Sequence, residues 1–240
     1  TRRLISGATY YPRPAAYIVE PDLLDEVEIQ RLRGHCRETG ALLIFDEVLT
    51  GFRVPELMWA KWKGVTPDLI CFAKAIANGF PLSVIAGPRK YMEVFGGAIG
   101  YSFTFGGECL SLAAGLATVR KYKHEPVVER LWEVGGWIRD AWTDATRKLG
   151  LDIPLTGYNS RLLPKYRSLL ERTLFTQEMC KRGILMTTTF FPTYAHSDAD
   201  VERTCRAIRE SLEVVASTND PTTLVEGPVV QMGFREMTSL

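Results

Sequence analysis

The chain has 240 residues, of which 46% are hydrophobic and 24% charged, and its formal net charge is +1. This balance excludes a largely disordered chain and disfavours binding to nucleic acid, which normally requires a basic excess or stripe. The longest apolar stretch, 41–45, is far shorter than the ~20 residues that a transmembrane helix needs, so the sequence predicts no membrane partner.

Short apolar strands alternate with helices in the first half of the chain. Segment 22–39 is predicted to be a helix because Ile29, Leu32 and Cys36 recur at helical spacing, and Gly40 is a natural stop. The strands are continuously apolar, which indicates a parallel sheet covered on both faces, with its chemistry beyond the carboxyl ends of the strands. The predicted strands are 15–20, 41–45, 66–73 and 82–87.

In the second half of the sequence, from residue 108, the pattern predicts two helices, and from residue 151 it predicts a mixture of helices and strands. We therefore predict part of a large α/β domain over 1–125 and a smaller α+β domain over 126–240. The predicted helices are 108–122, 126–148, 169–182 and 198–216, and the predicted strands are 151–156 and 184–188.

The cysteines and histidines indicate a reduced protein without a metal centre. The five cysteines form no CxxC pair, which is typical of free thiols in the cytoplasm, and the three histidines are scattered. The chain opens on Thr1 rather than Met, and its first residues resemble no signal peptide. We therefore expect a cytoplasmic location and a fragment whose N-terminal part is missing.

Three segments carry residues suited to chemistry, and each also has a structural interpretation. Asp46 and Glu47 end an apolar strand, where carboxylates need a cation or hydrogen-bond donors, as in a catalytic site, a helix cap or a salt bridge. Lys74 follows another apolar strand, where desolvation would favour its nucleophilic neutral amine, unless the side chain extends to water. Segment 104–107 precedes a predicted helix, where an anion site and an ordinary N-cap region are both possible interpretations.

Together the three segments meet the needs of a pyridoxal phosphate site. An anionic Asp keeps the pyridine nitrogen protonated, a lysine holds the aldehyde carbon, and a hydroxyl with backbone amides holds the phosphate. Asp46, Lys74 and Thr104 are of the residue types that these three tasks require.

The chain resembles the class III (fold type I) pyridoxal-phosphate-dependent aminotransferases, in the branch of glutamate-1-semialdehyde aminomutase. The pattern DEVxTGFR…PDLxxxxK is specific, and the resemblance covers nearly the whole chain. It implies that 1–125 is the C-terminal part of the large domain, a mostly parallel sheet flanked by helices, and that 126–240 is the small C-terminal domain. The matching segments are 14–21, 40–54, 64–87, 102–107 and 174–185.

This resemblance assigns roles to individual residues. Lys74 would be the Schiff-base lysine, Asp46 the partner of the pyridine nitrogen, and Val48 a packing contact on one face of the ring. Thr104 would bind the phosphate of the neighbouring subunit's cofactor, which implies a homodimer. Two further residues, which would orient Asp46 and the lysine loop, are Glu20 and Glu47.

The implied reaction moves an amino group from an amine or amino acid to an aldehyde or keto acceptor through a Schiff base on Lys74. One alternative is a 2,1-aminomutase-type isomerase, which uses one carbon skeleton for both halves of the reaction. A racemase or decarboxylase on the same fold, and a non-catalytic relative that serves dimerisation, are the others.

The sequence departs from the family pattern in two places. The turn that usually reads Ser-Gly-Asn-Pro is here 106–109, Gly-Gly-Glu-Cys, beside the expected substrate position, which bears on the aminomutase alternative. The family's main phosphate loop and ring-stacking aromatic residue belong to an N-terminal portion without counterpart here, so we expect an incomplete cofactor site in this chain. The roles of Arg53 and Arg161 are left open between binding a substrate carboxylate and a structural contact.

Overall fold

The structure, a computed structural model, describes residues 14–97, 100, 104–186 and 189–231. The chain divides into two compact units, Thr1–Val128 and Glu129–Leu240, close to the predicted boundary after residue 125. The described strands are β1 (Ala16–Val19), β2 (Leu42–Asp46), β3 (Leu69–Phe72), β4 (Val84–Ala86), β5 (Leu155–Tyr158) and β6 (Arg161–Pro164). The described α-helices are α1 (Glu26–Thr39), α2 (Trp59–Trp62), α3 (Arg89–Met92), α4 (Cys109–His124), α5 (Val127–Leu149), α6 (Leu169–Lys181) and α7 (Asp198–Ala216).

The first unit contains a four-stranded sheet in the order β1-β2-β3-β4. Strands β1, β2 and β3 are parallel, as predicted, whereas β4 runs antiparallel to β3. The chain between Phe72 and Val84 is too short for the crossover of a dozen or more residues that a parallel neighbour requires. The mostly parallel sheet is therefore confirmed, with β4 as the exception.

One face of the sheet is closed by α1. Leu43 and Phe45 of β2 are fully buried and pack against the apolar side of that helix. Ile18 and Ile44 alternate with these residues and so lie on the other face, where Ile18 is 62% exposed. The expected cover on both faces is thus incomplete within the described residues, and Asp46 belongs to the open face.

Helix α1 begins four residues later than predicted because the chain first makes a 3₁₀ turn at Pro21–Leu23. Asp25 then caps the helix, and its carboxylate accepts a hydrogen bond from the amide of Glu28, whose side chain bonds back to Asp25. Gly40 ends the helix with a φ of 75°, a conformation that favours glycine.

The second unit is built around Trp142 of α5. Its ring meets those of Phe175 and Phe190 edge-on, and its indole nitrogen donates to the carbonyl of Ile153 at 2.8 Å. Helix α7 has the predicted bounds and a capping box at Ser197. Residues 184–186 form no strand, and the rest of the predicted strand, 187–188, lies outside the described residues. No helix in the part of the chain described here combines the length and apolar character needed to cross a membrane.

The chain beyond α7 packs along α6. Gln177 exchanges two hydrogen bonds with this segment, to the carbonyl of Leu224 and from the amide of Glu226. Further along, the hydroxyl of Thr173 accepts a hydrogen bond from the amide of Val230 at 3.0 Å. The described part of the tail, 218–231, therefore packs against α6 of the second unit, a contact that the sequence pattern did not indicate.

The buried carboxylate of Glu178 makes this region sensitive to acid. Burial alone would raise the pKa of Glu178, but hydrogen bonds from Lys181, Arg182 and Gln177 lower it to about 2, from an ordinary value of 4.5. Since the folded pKa lies below the unfolded one, the stabilisation is fully present above pH 4.5 and is lost as the pH falls toward 2.

We expect Glu178→Gln to lower the free energy of unfolding by about 1–3 kcal/mol at pH 7, because it removes the charge that Lys181 and Arg182 face. At pH 3 the loss should be smaller. Urea unfolding at both pH values measures it, with the exposed Glu226→Gln as a control expected to lose less than about 1 kcal/mol. Equal losses at both pH values would contradict the assigned pKa.

Candidate active site

The candidate site lies where two neighbouring parallel strands end. Asp46 is the last residue of β2 and pairs with Cys71 of β3. The amide of Glu47 donates to the carbonyl of Cys71 at 2.9 Å, so the pairing continues one residue beyond the strand. Lys74 begins a 3₁₀ turn just after β3. The structure therefore brings Asp46 and Lys74 to the same edge of the sheet.

The carboxylate of Asp46 is half-buried and held by its own backbone. One of its oxygens accepts a hydrogen bond from the amide of Val48 at 3.0 Å, in a tight turn that orients the side chain. Burial and the charge of Asp46 together raise the pKa of the Cys71 thiol. Val48 is itself half-buried and stands beside the carboxylate that it orients.

Lys74 has a left-handed backbone conformation, with a φ of 48°. For a residue other than glycine this costs on the order of 1 kcal/mol or more, and such strain is concentrated at functional sites. Its carbonyl accepts hydrogen bonds from Ala77 and Asn78, which close the turn. Lys74 is exposed, which agrees with the structural interpretation of a side chain that extends to water, and buried residues 75–77 follow it.

Glu47 is fully buried, and its side chain bonds to residues at the start of α2. Its carboxylate accepts hydrogen bonds from the amides of Trp59 at 2.6 Å and Ala60 at 2.9 Å, and from the hydroxyl of Thr50 at 3.4 Å. Burial raises the pKa of Glu47, and these hydrogen bonds oppose the rise. The structure thus places Glu47 at the start of α2.

Glu20 directly follows the last residue of β1, and its position corresponds to that of Asp46 at the end of β2. Because Val19 pairs with Phe45 in parallel register, Glu20 lies at the same sheet edge as Asp46. It is half-buried, and its carbonyl accepts a hydrogen bond from the amide of Leu23 at 3.2 Å. This position is compatible with the supporting role predicted for Glu20.

Thr104 is exposed in a turn that precedes α4, while residues 102 and 103 of the predicted segment lie outside the described residues. The carboxylate of Glu108 caps α4, and it accepts hydrogen bonds from the amides of Leu110 at 2.6 Å and Ser111 at 2.8 Å. Hydrogen bonds from the hydroxyl and amide of Ser111 and the amide of Leu110 lower the pKa of Glu108. Glu108, which stands where the family pattern has Asn, is thus the N-cap of α4, in agreement with the structural interpretation of this segment.

The two open arginines lie in different units. Arg53 is half-buried, and its charge opposes the effect of burial, which raises the pKa of Tyr122. The hydroxyl of Tyr122 donates to the carbonyl of Phe52 at 2.6 Å, which ties α4 to the segment after β2. Arg161 opens β6 in the second unit.

Comparison with known proteins decides the family. The family model described as aminotransferase class-III matches residues 17–211. The chain belongs to the class-III aminotransferases. This match confirms the resemblance that the sequence motifs of the chain indicated.

The chain is also similar to individual class-III relatives. It is 31% identical over 207 residues to glutamate-1-semialdehyde 2,1-aminomutase of Thermomicrobium roseum, covering 78% of this chain and 48% of the relative. The PLP internal aldimine form of the Sphingopyxis sp. MTA144 FumI protein matches with 26% identity and a TM-score of 0.73, over 82% of this chain and 49% of that one. An omega-transaminase from Sphaerobacter thermophilus matches with 25% identity and a TM-score of 0.76, over 85% and 52%.

These likenesses confirm the predicted fold class, and the chain spans about half the length of the relatives it matches. The residues at the sheet edge fit the cofactor that the class uses: a carboxylate and a primary amine leave adjacent strand ends, with an apolar side chain beside the carboxylate. The segment before α4 contributes a hydroxyl, Thr104, while the amides of Leu110 and Ser111 at the start of α4 are bonded to Glu108.

Proposed function

We propose that the whole protein is a pyridoxal-phosphate-dependent aminotransferase, which moves an amino group from an amine or amino acid to an aldehyde or keto acceptor. The observation that carries this proposal is the placement of Asp46 and Lys74 beyond adjacent, parallel strand ends. A purely structural pair would not require a strained, exposed lysine at the same sheet edge as a carboxylate held by a backbone turn.

The residues would divide the work of the reaction between them. Pyridoxal phosphate, when bound, supplies the aldehyde carbon and the electron-accepting ring. Asp46 would hold a proton at the ring nitrogen, and Val48 would pack against the ring. The Nζ amine of Lys74 would hold the cofactor by its aldehyde carbon and, when free, would act as the base for the proton on the substrate carbon.

The surface around Thr104 supports the proposed homodimer. Leu110, Leu112 and Leu116 of α4 are 49–69% exposed, and Phe105, next to Thr104, is 70% exposed. Leu112 and Leu116 are four residues apart and so share one face of α4, and exposed large apolar side chains clustered in this way mark an interaction site. A second copy seated on α4 would bring Thr104 beside that copy's cofactor phosphate.

We expect Leu112→Asp to convert the dimer to monomers, because a buried charge at a subunit contact is costly. Analytical ultracentrifugation of the whole protein measures this change. The control is Val27→Asp, since Val27 is 56% exposed on α1 and does not belong to the proposed interface on α4. A dimer that persists in Leu112→Asp and dissociates in Val27→Asp would contradict the proposed interface.

An aminomutase is the second candidate, and the relatives named 2,1-aminomutase favour it. The carboxylate of Glu108 at the turn after Thr104 favours the aminotransferase, because that turn departs from the pattern of the aminomutase branch. Mass spectrometry of the whole protein with pyridoxal phosphate tests both, using a panel of amines with oxo acids and, separately, glutamate 1-semialdehyde. Transfer to a separate acceptor supports the aminotransferase, and isomerisation alone supports the aminomutase. Cofactor-loaded protein with neither reaction would overturn both.

The thiols support the proposed cytoplasmic location. All five cysteines are free, and Cys36 and Cys205 are buried. Free thiols of this kind persist in reducing compartments.

A further inference from the structure

We propose that Glu47 is a positioning residue, which fixes the direction of the Asp46 carboxylate. Its side chain acts as a clamp: it bonds to the amides of Trp59 and Ala60 at the start of α2 and so holds both ends of segment 47–60 together. The inference rests on the proposed function through the role of Asp46. It restricts the role that the resemblance implies for Glu47 to Asp46, since Trp59 and Ala60, which donate to its carboxylate, belong to α2 rather than to the lysine loop.

The clamp is a buried carboxylate with three donors. Glu47 is 0% exposed, and its two oxygens accept the amides of Trp59 and Ala60 at 2.6 and 2.9 Å, while Thr50 donates at 3.4 Å. Because Asp46 and Glu47 are consecutive and β2 alternates its side chains, Asp46 faces the open side of the sheet while Glu47 is buried. One residue can thereby anchor the backbone from behind while its neighbour stands in the site.

The segment that Glu47 closes needs such an anchor. Three of its residues other than glycine have left-handed φ values of 60–65°: Phe52, Glu56 and Leu57. The amide of Phe52 donates to the carbonyl of Leu57 at 2.8 Å, which closes the strained turn on itself. Conformations of this kind persist only where surrounding contacts over-determine them, and the Glu47 bonds join the two ends of this segment.

The clamp reaches Asp46 through the backbone of residues 47–51. Glu47 donates its amide to Cys71 and accepts the amide of Gly51 at its carbonyl, both at 2.9 Å. Between these two bonds lies the amide of Val48, which holds the Asp46 carboxylate at 3.0 Å. A Cβ atom at Gly51 would lie 2.5 Å from the Phe72 ring and 2.8 Å from the Glu47 carbonyl, so the turn has no room to shift while the clamp is closed.

The test compares Glu47→Gln with Asp68→Asn in the whole protein. The Gln variant keeps the side-chain volume and one oxygen that can accept a hydrogen bond. Its NH₂ group, however, is a donor and would face the backbone amide of Trp59 or Ala60, which is also a donor. Asp68 accepts from the amide of Leu43 at 2.8 Å and pairs with Arg33 in the same unit, so its variant is a matched structural loss. We expect Glu47→Gln alone to speed hydrogen exchange at Val48 and to weaken pyridoxal phosphate binding, each by about tenfold or more, with a larger change in kcat than in KM.

The two failures are distinguishable because exchange is measured without cofactor. Faster exchange at Trp59 and Ala60 with unchanged Val48 exchange and unchanged cofactor affinity would overturn the positioning role. If the parent protein bound no cofactor, the proposed function would be wrong. The hydrogen-exchange rate at Val48 would still show whether Glu47 positions the backbone beside Asp46. Should Glu47→Gln not fold, Glu47→Asp, which keeps the charge but shortens the reach, is expected to show the same exchange change at Val48, and its absence would overturn the proposal.

Discussion

Replacing Lys74 by Ala in the whole protein is expected to abolish covalent capture of pyridoxal phosphate and to lower kcat/KM for amino transfer by about 10⁴-fold or more, because Lys74 supplies the amine at this sheet edge. Steady-state kinetics and the visible absorbance of the bound cofactor measure the two effects. Lys74 is exposed, so loss of packing is not expected to contribute.

Two companion variants separate chemistry from backbone strain. Lys74→Arg keeps a positive charge but not a primary amine and is expected to be as inactive as the Ala variant. Lys74→Gly is expected to be inactive yet as stable as the parent or more stable by about 1 kcal/mol, because glycine relieves the φ of 48°. A cofactor absorbance band that survives in Lys74→Ala would show that another residue captures the cofactor.

Replacing Asp46 by Asn is expected to lower kcat by about 10²–10⁴-fold, because the neutral amide cannot hold a proton at the ring nitrogen. Asn keeps an oxygen to accept the amide of Val48, so the turn that orients the side chain should survive. The expected loss is therefore electrostatic and should fall on kcat more than on the dissociation constant of the cofactor.

Asp46→Ala serves as the comparison, since it removes the charge and the turn together. We expect it to lose cofactor affinity in addition to kcat, measured by equilibrium titration and single-turnover kinetics. An Asp46→Asn variant with parental kcat would remove Asp46 from the reaction, whatever the behaviour of the Ala variant.

The parts of the fold that sequence predicted well are those with a local signal. Helix α7 was predicted with its observed bounds because Ser197 caps it and one apolar stripe runs along it. The carboxyl ends of β2 and β3 were also placed correctly, because a continuous apolar run ends abruptly at Asp46 and just before Lys74. These ends in turn predicted which side chains share the sheet edge.

The remaining features depend on contacts that periodicity does not encode. The direction of β4 follows from the length of the preceding connection. The N-cap of α4 is Glu108, a residue that is less common at this position than smaller polar residues, so the sequence did not mark it. The contact between Glu47 and the amides of Trp59 and Ala60 spans twelve residues or more of strained backbone, and no sequence motif marks its end point. The left-handed φ of Lys74 is likewise not marked by the apolar strand before it.

The central claim is that Asp46 and Lys74 bracket one pyridine ring. A crystal structure of the whole protein with pyridoxal phosphate bound tests this most directly. We predict an Asp46 carboxylate oxygen about 2.7–3.0 Å from the ring nitrogen, with the Nζ of Lys74 at the opposite end of the ring, bonded to the former aldehyde carbon. A ring nitrogen that faces another side chain, or a cofactor joined to a different lysine, would contradict the account.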